Sequence, residues 1–170
     1  RAGLQSTRVH SVIVARLAQL SAGSYELAGV ASIVGRPFSF ELLEKATDWD
    51  EESVSRAMDE LWRRRIIENR GASEYDFTHD RLREVACAEL SPVRQRFWHR
   101  RVARALAETG EADAESLSGQ IGAHFEQAGV AQEAIDHYRR AADYARQRYA
   151  DTEAADLLRR ALTLCRGLPD

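Results

Sequence analysis

Apolar residues recur about every 3.6 positions along most of this chain, and that spacing is typical of amphipathic helices. Polar residues, glycines and prolines interrupt the pattern and mark the helix ends. The pattern predicts helices over residues 7–20, 25–34, 40–46, 51–65, 79–90, 93–107, 117–128, 132–148 and 152–165. Ser39 is expected to cap the third helix, and Asp48 or Asp50 the fourth, because their side chains accept hydrogen bonds from free helix-start amides.

The period changes after the fourth helix. Residues 66–70 and 74–77 alternate as strands do, and Gly71-Ala72-Ser73 between them has the composition of a turn. Three helices followed by two short strands indicate a winged helix-turn-helix with a small β-hairpin wing. Its predicted core consists of Leu27, Val30, Val34, Leu43, Val54, Met58, Leu61, Ile67 and Phe77.

The remainder of the chain has a helical pattern throughout. Pro92 suits the first turn of the helix over 93–107. We expect Phe97, Val102, Ala105 and Leu106 to face inward there, with Trp98 and Ala103 near the edge of the apolar stripe. Residues 110–116 are polar and are predicted to be a link.

An internal repeat runs through the last third of the chain. Phe125, Ala134, Tyr138 and Ala141 follow Gly122 at offsets of 3, 12, 16 and 19 residues. These are tetratricopeptide (TPR) spacings, in which small residues let two helices touch and aromatic residues fill the space between them. Ala154, Leu158 and Ala161 repeat part of the pattern 20 residues after Ala134, Tyr138 and Ala141. A plain helical bundle is the alternative.

The predicted fold is therefore mostly α: a winged helix-turn-helix with a small β-hairpin wing, followed by a TPR-like α-helical stack. We expect a winged-helix regulatory domain over 1–91, which includes the helix 79–90, and a truncated helical TPR-like domain over 92–170. The chain begins at Arg1 without a methionine or an apolar signal segment, so we expect a segment of a longer protein. Further repeats are expected after Asp170.

Charge and composition narrow the function classes. The net charge is −3, and no stretch of 18 apolar residues occurs, so neither bulk attraction to nucleic acid nor a membrane span is expected. We therefore expect a cytoplasmic protein without membrane contact. Cys87 and Cys165 fit no metal spacing, and the five histidines fit no metal or catalytic motif. Catalysis and metal binding by this chain are not expected.

His79 is the main candidate for ligand chemistry. It follows Thr78 and precedes Asp80 at the predicted start of a helix, where free backbone N–H groups and the helix dipole favour an anion. A nucleotide phosphate is one interpretation. A local polar contact of a first-turn histidine is the other, and Asp80 also fits a carboxylate stabilised by the dipole.

The charges of two predicted helices indicate which kinds of partner the chain could bind. In a DNA-binding winged helix, the fourth helix would be the one that contacts the bases. Residues 48–60 carry a net charge of −5, however, and this charge repels phosphates. DNA binding is therefore not expected. Residues 92–106 carry five arginines and no acid, either as a solvated face or as a surface for an acidic partner or a neighbouring domain. Arg94, Arg100, Arg101 and Arg104, with Phe125 and Tyr138 of the stack, form the predicted interaction surface.

The order of several motifs resembles one family along nearly the whole chain. They are Ala28-Gly29-Val30-Ala31-Ser32-Ile33-Val34-Gly35-Arg36-Pro37-Phe38, Leu61-Trp62-Arg63-Arg64-Arg65-Ile66-Ile67, Phe77-Thr78-His79-Asp80 and His124-Phe125-Glu126-Gln127-Ala128-Gly129. This order resembles the region after the ATPase core in bacterial STAND-type ATPases, including large LuxR-type ATP-binding transcriptional regulators.

The resemblance implies a regulatory winged helix followed by a TPR sensor or scaffold. It implies that His79 contacts bound ADP, with Thr78 where the related Met-His-Asp motif has methionine. The chain has no G-x-x-x-x-G-K-[ST] phosphate loop, so the resemblance places ATP or ADP in the parent protein and no cofactor in this segment alone. The implied partners are the ATPase core of the same protein and an unidentified protein or small-molecule inducer. Two alternatives remain: a stand-alone TPR-like adaptor that binds a peptide, and a DNA-binding winged helix.

Overall fold

The computed structural model describes residues 2–35, 37–108 and 111–168, with side chains for 10–35, 37–108 and 116–168. The described residues form nine helices: α1 (Ala2–Ala18), α2 (Ala22–Val34), α3 (Phe40–Thr47), α4 (Glu51–Arg63), α5 (Asp80–Ala88), α6 (Pro92–Ala107), α7 (Glu111–Ala128), α8 (Ala131–Gln147) and α9 (Asp151–Arg166). They also form three short strands: β1 (Phe38–Ser39), β2 (Ile67–Asn69) and β3 (Glu74–Phe77). The mostly α fold is confirmed.

Internal contacts divide the chain into two compact units, Arg1–Arg94 and Gln95–Asp170, here called unit 1 and unit 2. Of the described helices, none is both long and apolar enough to cross a membrane.

Short polar side chains cap the starts of α2, α3 and α4. Ser21 Oγ accepts a hydrogen bond from Ser24 N at α2, and Ser39 Oγ accepts one from Leu42 N at α3. Asp50 caps α4 by accepting from Ser53 N at 2.9 Å, and the two hydrogen bonds from Ser53 lower the pKa of Asp50. The cap predicted at Ser39 is confirmed. Asp48 instead ends α3 with a left-handed φ of 61°.

All nine residues of the predicted core in unit 1 are buried. Helix α2 packs on α4 and α5, and α5 also packs on α1. Leu82, Val85 and Ala86 of α5 are buried as well, so the helix after the hairpin belongs to the same hydrophobic core as the helices before it.

The sheet of unit 1 contains one strand more than the sequence predicted. Strands β2 and β3 pair antiparallel, with Ile67 opposite Phe77, as expected for the hairpin. Strand β1 adds to the other edge of β3, with Phe38 opposite Tyr75. Phe38 is buried, and its ring lies 6.0 Å from that of Phe77. A two-residue strand is too short to show a period, so the hydrophobic pattern could not reveal it.

Unit 2 contains the helices of the repeat, and it corrects two predictions. The polar link predicted over 110–116 is wrong from Glu111 onward, because α7 already begins there; Gly110 lies outside the described residues. Glutamate and alanine are good helix formers, and acidic residues suit a helix start. Their polarity therefore did not indicate a loop.

The second correction concerns the inward face of α6. Phe97 was expected to face inward but is 36% exposed, whereas Trp98, expected at the edge of the stripe, is only 3% exposed. Val102, Ala103, Ala105 and Leu106 are buried with it. The buried face of α6 is therefore rotated about the helix axis relative to the face that the sequence pattern predicted, so that it includes Trp98 and Ala103 and leaves out Phe97.

Candidate functional site

The site around His79 is built on the end of helix α4. Ile66 N donates to Leu61 O and Arg65 N donates to Trp62 O, both at 2.9 Å, which is the hydrogen-bond pattern of a Schellman motif. The residue after the cap in this motif is left-handed and is usually glycine. Here it is Arg65, with φ of 54°. A non-glycine residue in this conformation costs about 1 kcal/mol or more, so the surrounding contacts must hold it there.

Two distant segments supply those contacts. The Arg16 guanidinium of α1 donates to Arg64 O at 2.7 Å and to Arg65 O at 3.3 Å. Thr78 Oγ1 donates to Arg65 O at 2.9 Å, and Thr78 N donates to Ile66 O at 3.0 Å. A cation at carbonyls that end a helix also meets the negative end of the helix dipole. We call this arrangement the α4 junction. It fixes the backbone of Thr78 immediately before His79.

His79 occupies the N-cap position of α5 in extended conformation, with φ of −145°. Its side chain makes no capping hydrogen bond, while its carbonyl accepts one from Leu82 N at 3.0 Å. The imidazole is exposed and borders two clefts of about 680 and 620 Å³. The larger cleft also contains Arg16, Trp62, Arg63 and Arg65, and the smaller one contains Asp80.

The electrostatics of the larger cleft favour an anion. Three guanidinium groups line it, and Glu68 is the carboxylate beside them. Glu68 lies 3.1 Å from Arg70, and Arg63 makes an exposed pair with Asp59 at 3.7 Å. Trp62 is 58% exposed and gives the cleft an aromatic wall. Arginine binds phosphate and carboxylate groups through paired N–H donors, so this cleft can hold an anion next to a flat ring.

The arginines predicted as an interaction surface have different surroundings. Arg94 forms an ion pair with Glu26 of α2 in unit 1. The Arg101 guanidinium lies 5.9 Å from the centre of the Phe97 ring. Arg100 and Arg104 are exposed on α6.

Phe125 and Tyr138, predicted in the same surface, are buried in unit 2. Tyr138 Oη donates to Glu126 Oε2 at 2.6 Å, and Arg160 donates to the same oxygen at 2.6 Å. The Arg160 guanidinium also lies 4.7 Å from the centre of the Tyr138 ring. Burial and the bond to Glu126 raise the pKa of Tyr138. These contacts join α7, α8 and α9, so Tyr138 stabilises the packing of these three helices from within.

Sequence reasoning missed a histidine pair in unit 2. The Nδ1 atoms of His99 in α6 and His124 in α7 lie 2.9 Å apart, and their rings are 5.1 Å apart. Burial, together with the charge of His99, lowers the pKa of His124 to about 4, and burial lowers the pKa of His99. No local motif links residues 25 positions apart, so only the folded structure reveals the contact between these two histidines.

Within the described part of the chain, no group of three or more histidine, cysteine, aspartate and glutamate residues is arranged to hold a metal ion. No protein-family model matches the chain. No solved structure matches it.

The chain is similar to a protein of Rhizobium meliloti (strain 1021) that is described as uncharacterized, with 26% identity over 159 residues. The similarity covers 91% of this chain and 15% of that protein. The chain thus spans a small part of the relative's length.

Proposed function

We propose that this chain is a non-catalytic regulatory and interaction region of a larger ATP-dependent regulator of the STAND type. In this proposal the domain over 1–91 is a winged helix that contacts the nucleotide-bound ATPase core of the same protein. The domain over 92–170 is a TPR-like stack that senses a partner protein or a small-molecule inducer in the cytoplasm. The similarity to part of a much longer protein supports a region of this kind.

The element order of unit 1 supports the winged-helix part of the proposal. Helices α2, α3 and α4 precede the hairpin of β2 and β3, and β1 joins that hairpin from between α2 and α3. The buried Phe38 and Phe77 side chains connect the sheet to the helical core. This arrangement leaves the end of α4 and the start of α5 side by side at the α4 junction.

The observation that carries the nucleotide proposal is the cleft beside His79. An exposed imidazole without a capping bond lies next to Arg16, Arg63, Arg65 and the exposed ring of Trp62. A phosphate needs the N–H donors, and a base needs the flat ring. Thr78, which stands where the related motif has methionine, has a structural role in the α4 junction. A threonine at position 78 therefore leaves the His79 imidazole available to contact a nucleotide.

The decisive test uses the intact parent protein and the His79→Ala variant. A hydrogen bond to a charged phosphate contributes about 1.5–3 kcal/mol, so the Kd for ADP should rise by about tenfold or more. Basal activity should rise with it, because the ADP-bound closed state is weakened. His10→Ala, which removes an exposed histidine from α1, should change neither quantity. An unchanged ADP affinity in His79→Ala would reject the sensing role, as would a parent without a phosphate loop upstream of this region.

Packing within unit 2 supports a second candidate, a TPR-like adaptor that binds a peptide without nucleotide. A Cβ added to Gly122 would lie 2.8 Å from Cδ1 of Tyr138, so α7 and α8 approach as closely as the repeat spacing requires. Partner binding that persists in a parent unable to bind nucleotide, and that is lost when the packing of Phe125 and Tyr138 is disrupted, would favour the adaptor.

A further inference from the structure

Helix α6 carries a row of arginines on its outward face. Arg96, Arg100 and Arg104 are all exposed and follow one another at one-turn intervals. Residues with this spacing lie about 5–6 Å apart on a helix surface. The buried side chains Trp98, Val102, Ala105 and Leu106 occupy the opposite side of the helix, and the buried Ala103 lies at the edge of the row beside Arg96 and Arg100. The row therefore points away from most of the buried side chains of α6.

The row is not neutralised by its own helix. Pro92–Ala107 contains no aspartate or glutamate. Glu108, directly after the helix, is the one acidic residue four positions from an arginine of the row, and it follows Arg104. None of the three arginines forms an ion pair with a residue that the structure describes. Like charges one turn apart repel each other and weaken the helix. A partner with the opposite charge would relieve this repulsion.

Phe97 adds an exposed apolar side chain to the same face of α6. Phe97 is 36% exposed, and its ring makes an edge-to-face contact with Trp98 at 4.8 Å between ring centres. The Arg101 guanidinium lies 5.9 Å from the centre of the Phe97 ring. The aliphatic stems of the arginines extend this apolar surface around the ring. The face therefore combines three cationic groups in a line with a small apolar contact area beside them.

We propose that this face of α6 binds an acidic helical segment of a partner protein, with carboxylates one turn apart opposite Arg96, Arg100 and Arg104. Apolar side chains of the segment pack on Phe97. The reason for this choice of partner is charge complementarity between the three arginines and carboxylates with the same spacing. A nucleic acid fits less well, because Phe97 is the one exposed aromatic side chain of α6, whereas strand binding uses several stacking rings, and because the chain as a whole has a net charge of −3. The proposal depends on α6 alone and not on the nucleotide site.

The probe is a short synthetic helical peptide with glutamates at positions i, i+4 and i+8 and leucines beside them. A scrambled peptide of the same composition, with the glutamates spread around the helix, is the first control. Calorimetry with the full chain should give saturable binding of the first peptide and at least tenfold weaker binding of the second. Duplex DNA should bind more weakly than the first peptide at equal salt.

Charge-reversal variants identify the surface. Arg96→Glu/Arg100→Glu should weaken peptide binding by about tenfold or more, because attraction becomes repulsion at two contacts. Arg139→Glu/Arg140→Glu makes the same change in net charge on the exposed side of α8 and should leave binding unchanged. Arg96→Lys/Arg100→Lys keeps the charge and should retain most of the affinity. Circular dichroism checks that each variant is folded.

Three outcomes would overturn the proposal. The first is that the patterned peptide does not bind. The second is that the scrambled peptide binds as tightly as the patterned peptide, or that Arg139→Glu/Arg140→Glu weakens binding as much as Arg96→Glu/Arg100→Glu. Either result would mean a general charge effect. The third is that duplex DNA binds more tightly than the peptide through Arg96 and Arg100, which would make the face a nucleic-acid surface.

Discussion

At the scale of single residues, Gly122 shows how closely two helices of unit 2 approach. An added Cβ would lie 2.8 Å from Cδ1 and 3.0 Å from Cε1 of Tyr138. Tyr138 is fully buried and held by Glu126 and Arg160, so its ring has little room to move away. The requirement for glycine at this position comes from space and not from backbone conformation.

We therefore expect Gly122→Ala to lower the free energy of unfolding by about 1–3 kcal/mol, the usual cost of an overpacked core. Gly119→Ala is the matched control in the same helix, because its Cβ would meet side-chain atoms at ordinary distances of 3.7 and 3.8 Å. Without a clash, alanine in a helix is more stable than glycine by roughly 0.5–1 kcal/mol. Urea unfolding measures both effects. Equal effects of the two substitutions would contradict the close contact.

The histidine pair gives unit 2 a distinctive pH dependence. The pKa of His124 is lowered from 6.5 to about 4, mainly by burial and then by the charge of His99. Between these two values the unfolded chain binds a proton that the folded chain does not bind. Stability is therefore full above about pH 6.5 and decreases as the pH falls towards 4.

From His124 alone we expect a loss of roughly 3 kcal/mol across this window, at 1.36 kcal/mol for each unit of pKa. Carboxylates also titrate at the acidic end, so the informative quantity is the difference between the wild type and His124→Gln. Denaturant unfolding from pH 7 to pH 5 should show a shallower slope for the variant. His10→Gln on α1 should keep the wild-type slope. If His124→Gln also kept it, the pair would have no role in acid sensitivity.

At the scale of helices and strands, the features that depend on neighbouring residues in the sequence were predictable. Ser39 was identified as a cap, and the alternation after α4 located the hairpin. The predicted core of unit 1 is buried throughout. Other features depend on distant partners. Strand β1 exists because Phe38 meets Tyr75 and Phe77, and the choice of Trp98 over Phe97 for the interior of α6 depends on what surrounds that helix.

The candidate site shows the same division. His79 could be found from sequence, because a histidine between Thr78 and Asp80 marks a helix start. The arginines of its cleft could not be found, because the chain has 23 arginines and nothing local distinguishes Arg16 or Arg65 from the others. Only the fold brings α1 and the end of α4 to the start of α5.

The end of α4 yields a direct test of backbone strain. Arg65 has φ of 54° at the position where a Schellman motif favours glycine. Arg65→Gly should therefore raise the free energy of unfolding by about 1 kcal/mol. Arg64→Gly, one residue earlier with φ of −80°, should lower it. Glycine loses more entropy on folding, and the variant also removes the hydrogen bonds from Arg64 to Gln19 O and Gln19 Oε1 at 3.3 Å. Thermal and urea unfolding of the two variants measure the difference.

A destabilising effect of Arg65→Gly would mean that the Arg65 side chain contributes more to the fold than its backbone conformation costs. If the arginine is instead retained for the anion cleft, the variant should be more stable and should bind ADP less tightly in the parent protein.

At the scale of the whole molecule, the distribution of charge bears on DNA binding. The chain has a net charge of −3, and the start of α4, where a DNA-reading helix would make its base contacts, carries Asp50, Glu51 and Glu52. We expect no measurable affinity for duplex DNA at about 0.15 M salt, because binding requires phosphates to be neutralised. Gel shifts over a range of salt concentrations test this.

A Glu51→Arg/Glu52→Arg variant should gain weak, salt-sensitive DNA binding, because it removes the repulsion at the start of α4. Tight DNA binding by the unmodified chain that weakens steeply with salt would contradict the expectation and restore the DNA-binding interpretation.

The α4 junction also has a consequence for the order of folding. It joins Arg16 to carbonyls 48 and 49 residues away and Thr78 to one 13 residues away. Contacts between such distant residues require large loops to close, and they are slow to form. We expect the cleft beside His79 to exist only when unit 1 has completed its fold. An anion that occupies it would bind the native state and no partly folded form, and it would therefore protect the whole unit against unfolding.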